Sequence, residues 1–190
     1  MKPLLPLPAA LFAFALSVSA EEAFRPPAVP LVACDPYFSI WSEAAALTGA
    51  GTTHWTGKPH RLTALLRVDG KTFRLMGTEP ASAPAMAQES VEVLPTRTLY
   101  RFSGGNVAAT LTFTTPALPG DLGVLSRPTT YVTCEVESTD GAPHRTAFHF
   151  DASGELAANT PDQEVTGSME KFPSGEALKL GTVSQNILGK

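Results

Sequence analysis

No lysine- or arginine-rich run occurs in these 190 residues, and 14 basic side chains face 18 acidic ones. Nucleic-acid binding is therefore not expected, because neutralising a phosphate backbone needs concentrated positive charge. After residue 20 no apolar stretch approaches the ~20 residues that a membrane-spanning helix requires. No twelve-residue window carries the period of an amphipathic helix, and there is no internal repeat, so helical bundles and solenoids are set aside. Cysteine is scarce: only Cys34 and Cys134 occur. An even pair permits a disulfide in an oxidising compartment. Cys134 also lies in phase with Val132 and Val136, which suits a buried free thiol equally well. Both readings stay open.

Catalytic signatures are missing too. No Gly-x-Ser-x-Gly elbow is present, and neither cysteine has a local catalytic context. The segment Gly51–Lys58 has the composition of a phosphate loop, but its glycines are misspaced and Pro59 stands where a magnesium-binding hydroxyl belongs. His54, His60, His144 and His149 match no zinc spacing. His144 and His149, five apart on an expected strand, point to opposite faces. No metal and no cofactor are expected. Asp35, Asp121 and Asp151 are acids that could pair in space, yet Asp35 before Pro36 and Asp151 before Ala152-Ser153-Gly154 read more simply as turn initiators. An acid–base pair of Asp35 and His54 is a weaker alternative.

What is present begins at the front. Met1-Lys2 precedes an apolar stretch from Leu4 to Leu16, broken only by Pro6 and Pro8, and Val18-Ser19-Ala20 leads into Glu21-Glu22. Short apolar length, small residues at the −3 and −1 positions and acids just beyond fit a cleaved export signal over residues 1–20. Cleavage leaves about 170 residues, enough for one domain with a real core, and makes the net charge −5 in place of −4. No membrane association is expected after cleavage. The expected location is the periplasm or the exterior.

The remainder reads as an all-β antiparallel sandwich. Seventeen prolines and fifteen glycines punctuate short alternating runs. In Val107–Thr115 one face carries Val107, Ala109, Leu111 and Phe113, and the other is rich in threonine. Asp69-Gly70, Pro95-Thr96 and Gly104-Gly105-Asn106 each join two strand-like runs. Ser138-Thr139-Asp140-Gly141 reads as the loop of a further hairpin, from Thr129–Val136 to Arg145–Phe150. Glu43–Lys58 and Glu79–Ala85 look irregular, with a helical turn at Glu43–Leu47. Apolar Val183, Ile187 and Leu188 have no evident partner, so the sandwich is expected to be truncated at its C-terminal end.

Aromatics cluster in Asp35-Pro36-Tyr37-Phe38-Ser39-Ile40-Trp41-Ser42 and Thr53-His54-Trp55-Thr56-Gly57. Side chains this large usually serve cores and seams, so burial of Tyr37, Phe38 and Trp41 is the simpler expectation. If exposed, Tyr37, Trp41, His54 and Trp55 are candidate contacts for a small-molecule or glycan ligand, or for another domain.

These segments, with Arg25–Val32, Leu66–Lys71, Arg74–Gly77, Pro95–Tyr100, Leu111–Pro119 and Leu125–Pro128, resemble the opening of the glutaminase A family. That resemblance implies an exported protein in which a β-sandwich precedes a six-hairpin α/α catalytic domain, hydrolysing L-glutamine to L-glutamate and ammonia. The present chain resembles only the front region, so no catalytic residue of the family falls on it. Whether it has activity of its own stays open. The expected organisation is a signal at 1–20, a family segment at 21–80 contributing to the sandwich, and a sandwich region at 81–190. The expected partner is the helical catalytic domain of the same polypeptide. The alternative is a stand-alone secreted carbohydrate-binding β-sandwich module.

Overall fold

Alternating side chains can bury only one face, and a computed structural model covering residues 25–185 shows which face that is. The expected signal at 1–20 and the apolar pair Ile187 and Leu188 lie outside the described residues. Within them, eleven strands run in order: β1 Val29–Ala33, β2 Ser39–Ser42, β3 Leu62–Val68, β4 Lys71–Met76, β5 Ala87–Leu94, β6 Arg97–Gly104, β7 Val107–Thr114, β8 Tyr131–Ser138, β9 Thr146–Ala152, β10 Val165–Phe172 and β11 Gly175–Thr182. A single-turn helix α1, Leu122–Leu125, interrupts the proline-rich connection, and a 3-10 turn follows β9 at Gly154–Ala157. Asp121 caps α1 by accepting from the Val124 amide at 3.1 Å.

A four-stranded sheet ordered β5-β6-β7-β8 and a three-stranded sheet ordered β4-β3-β9 share one core with the β1-β2 ribbon. All pairings between these strands are antiparallel. The inward row of β7 is Val107, Ala109, Leu111 and Phe113, all buried; Leu62, Ala64, Leu66 and Val68 form the matching row of β3. Burying each large apolar side chain contributes on the order of 2 kcal/mol. All-β is therefore the fold class, as the alternation predicts.

Three hairpins stand where the turn residues place them. Val68 pairs with Lys71 across Asp69 (φ 48°) and Gly70 (φ 87°), and Gly104 pairs with Val107 across Gly105 (φ 61°) and Asn106 (φ 62°). Two successive positive φ values define the turn whose twist suits adjacent strands. Leu94 pairs with Arg97 across Pro95-Thr96.

The fourth expected hairpin is not one. β8 pairs with β7, whereas β9 pairs with β3, so residues 139–145 carry the chain from one sheet to the other. The reason is register of faces: both β8 and β9 need the same core, and each finds a sheet edge free. His144 consequently sits in the crossing and not on a strand. Asp151 lies within β9 and accepts from His149 at 2.9 Å, so it initiates no turn. Glu43–Leu47 forms bends and a turn closed by Gly49 N–H to Ala46 O, not a helix.

The crossing is fastened at its end around His144 and Arg145. His144 Nδ1 meets Asp69 Oδ2 at 2.6 Å and its Nε2 meets Asp140 Oδ1 at 3.0 Å; Arg145 N–H donates to Asp69 Oδ1 at 2.9 Å. The two carboxylates hold the imidazole pKa above its usual value, with Asp69 the larger cause. Asp140 is drawn down to about 2, first by the Ala142 amide and then by His144. The raised histidine contributes stability below its unfolded pKa, lost as pH rises through the folded one; the lowered acids contribute above their unfolded values. The clasp is thus strongest between about pH 4 and 6.5. His144→Ala is expected to lower the melting temperature more at about pH 5.5 than at about pH 8.5. Equal losses at both values would refute the clasp.

Cys34 and Cys134 are separate free thiols. Cys34 Sγ lies 3.6 Å from Thr130 Oγ1, while Cys134 packs against the core beside Val132 and Val136, where burial pushes its pKa up to about 11. The β10-β11 hairpin forms its own two-stranded sheet. One of its faces carries Val165, Met169, Leu178 and Leu180, with Met169 60% and Leu178 72% exposed. The opposite face carries Phe172, 50% exposed, and Lys179 paired to Glu170.

Candidate functional site

The loop from Cys34 to Phe38 folds because Asp35 follows its own carboxylate. Asp35 Oδ1 accepts from the Tyr37 amide at 2.7 Å and the Phe38 amide at 2.9 Å, an Asx turn as its sequence context suggests. That turn sends Tyr37 outward, 74% exposed, while Phe38 turns back against the core. The second aromatic segment is a tight turn: Gly57 N–H donates to His54 O at 2.9 Å, His54 N–H donates to Lys58 O at 2.8 Å, and Gly57 has φ 82°. No helix follows, consistent with rejecting a phosphate loop.

One carbonyl ties the two loops together. Pro36 O accepts from Trp55 Nε1 at 2.7 Å and from His54 Nε2 at 2.9 Å. A carbonyl cannot donate, so Nε2 carries the His54 proton and Nδ1 accepts from the Thr56 hydroxyl at 2.8 Å. Trp55 is left with its polar edge satisfied and its ring 61% exposed. Burial was the simpler expectation for the aromatics; for Tyr37 the structure shows the opposite, and Trp55 also faces outward. His54 spends both ring nitrogens on Thr56 and Pro36, so it forms no acid–base pair with Asp35.

The facing wall is the segment after β9. Glu155, at the 3-10 turn, pairs with Arg61 and accepts from Ser153 Oγ at 2.7 Å, and the Arg61 contacts draw its carboxyl down to about 2. Ser153 N–H donates to Arg61 O at 2.9 Å, so this wall is anchored to the start of β3. Lys58 Nζ reaches Asn159 Oδ1 at 3.1 Å and Asn159 O at 3.3 Å, joining the walls. Between them lie two cavities of about 350 and 370 Å³. Tyr37, His54 and Trp55 line the first, Gln163 and Val165 the second, and Lys58, His60 and Asn159 both. Each volume falls in the range of small-ligand sites.

His60 is the residue that sequence reasoning passed over. It is 9% exposed, its ring lies 5.1 Å from that of His54, and its Nδ1 has no hydrogen-bond partner. Burial first, and the neighbouring His54 second, lower its pKa and so favour the neutral ring. An unsatisfied buried nitrogen costs about 1–3 kcal/mol. Its burial was legible: His60 is in phase with Leu62, Ala64, Leu66 and Val68, the inward row of β3.

The structure therefore brings Tyr37, His54 and Trp55 together. Trp41, on β2, is half-buried and lines neither cavity, although its backbone pairs with Thr53. Asp121 and Asp151 are remote in role, one a helix cap and the other paired with His149. No group of three metal-ligating side chains occurs among the described residues, and no helix among them is long and apolar enough to cross a membrane.

Residues 96–190 match a family described as a domain of unknown function (DUF5127), and the chain belongs to that family. Residues 12–88 match a second domain of unknown function, DUF4964. Among characterised proteins, the chain is similar to Glutaminase A of Aspergillus oryzae (strain ATCC 42149 / RIB 40), 32% identical over 158 residues. That alignment takes in 79% of this chain but only 23% of the relative. The resemblance to the front region of the glutaminase A family is thereby borne out. No solved structure matches.

Proposed function

We propose that the chain is the exported, non-catalytic N-terminal portion of a glutaminase A-like hydrolase, and that its role is to brace a helical catalytic domain. The observation that carries this reading is the similarity to a glutaminase over less than a quarter of that protein's length. A region so small a share of the whole is suited to supporting chemistry housed elsewhere.

The exposed apolar surfaces fit a bracing role. The β10-β11 hairpin presents Val165, Met169, Leu178 and Leu180 to solvent, and a two-stranded ribbon is at best marginally stable alone. Edge strand β9 leaves Phe148 39% exposed beside Phe150. Contiguous apolar surface of this kind marks an interaction site. The residue pattern at 1–20 supports export, to the periplasm or outside the cell.

The purified 190-residue chain is expected to release no ammonia from L-glutamine above buffer. Measurable turnover by this chain would overturn the reading. Replacing Met169 and Leu178 together by threonine is expected to reduce binding of a dye specific for exposed apolar surface, with the melting temperature of the sandwich unchanged. Undiminished dye binding would place the interaction surface elsewhere.

A further inference from the structure

We propose that the cleft between the His54–Lys58 turn and the 154–160 segment binds a neutral oligosaccharide, with one sugar ring stacked on Trp55 and hydroxyls meeting Lys58 and Asn159. The first argument is the state of Trp55. Its indole N–H is spent on Pro36 O, which fixes the ring's edge while leaving the ring 61% exposed. A large aromatic held open in one orientation is a preorganised platform, and the entropy of ordering it is lost in folding and not in binding. The C–H face of a pyranose is the complementary surface for such a ring. Tyr37 stands beside the same cavity, its backbone fixed by Asp35.

The second argument is the polar lining. Lys58 Nζ and the Asn159 side-chain amide, 3.1 Å apart, bring a donor and a mixed donor–acceptor to the lining of both cavities. A ring of hydroxyls, each donor and acceptor at once, satisfies such a mixed set. An apolar ligand would desolvate these groups without return. An anion is disfavoured because the Glu155 carboxylate lines one of the cavities and offsets the charge of Lys58.

The third argument is length. Two cavities that share Lys58, His60 and Asn159 in their linings lie side by side, so the ligand class is an oligomer long enough to reach both. None of this draws on the bracing role; a chain that binds no sugar would still be able to brace.

The test titrates the 190-residue chain with linear hexasaccharides of glucose, mannose, xylose and N-acetylglucosamine, by calorimetry and tryptophan fluorescence. At least one is expected to bind with a Kd of about 1 mM or tighter. Trp55→Ala is expected to weaken that binding about tenfold or more, Trp55→Phe less, and Tyr131→Ala, on exposed β8, not at all. Circular dichroism would confirm that each variant is folded. No heat and no fluorescence change with any sugar up to about 10 mM would overturn the proposal. So would equal affinity in folded Trp55→Ala. A sugar that binds and is displaced equally by free glutamate would assign the cleft to anions instead, and would overturn it too.

Discussion

Phe113→Ala is expected to lower the unfolding free energy by about 3–5 kcal/mol, as large-to-small changes at fully buried aromatics do. Phe113 is 1% exposed and ends the inward row of β7. β7 is an interior strand of its sheet, paired along its length with β6 on one side and β8 on the other. A strand pinned on both edges cannot move inward to fill the space left by a lost ring. The site therefore sits at the costly end of the range. Thr112→Ala, one residue away on the opposite face, is expected to change stability by no more than about 0.5 kcal/mol. Denaturant midpoints with unchanged slopes would test both. A Phe113→Ala loss below about 1 kcal/mol would mean that the two sheets do not share the core described.

Gly77→Ala should be the second most damaging change considered, and a second glycine isolates why. Gly77 has φ 84°, and a Cβ there would lie 2.9 Å from the Leu62 carbonyl oxygen. Gly70 has nearly the same φ, 87°, but a Cβ there would meet nothing within 4 Å. Both substitutions force a left-handed backbone on alanine, at about 1–2 kcal/mol. Only Gly77 adds a collision with backbone, and Leu62 cannot give way because it opens β3 and pairs with Ala152 of β9. Gly77→Ala is expected to exceed Gly70→Ala by about 1 kcal/mol or more. Equal costs would show that the approach of residue 77 to β3 is looser than described.

The turns were legible in the sequence because they are local. Asp69-Gly70 and Gly105-Asn106 state their own backbone geometry, and alternation states which face of each strand is buried. Partnership is not local. Residues 131–136 and 145–150 have the right alternation for a hairpin, yet each pairs with a strand from an earlier part of the chain. Strands β1 and β2 are short, and their ladder is interrupted between Pro30 and Val32, so they leave little periodic signal. The candidate site was half legible. Tyr37, His54 and Trp55 stood out by type, but whether an aromatic faces inward depends on the loop that carries it. Here the Asx turn at Asp35 and the shared Pro36 carbonyl decide that. His60 was readable from its phase with β3 and went unread because a lone histidine carries no motif.

The pairing of β3 with β9 also governs when this molecule can become itself during synthesis. Residues 62–68 wait for residues 146–152, with the whole four-stranded sheet made in between. Until Ala152 has left the ribosome, β3 has only β4 beside it and its second edge lies open. Closing so long a loop is slow, so that edge stays open for an interval after the strand itself has been made.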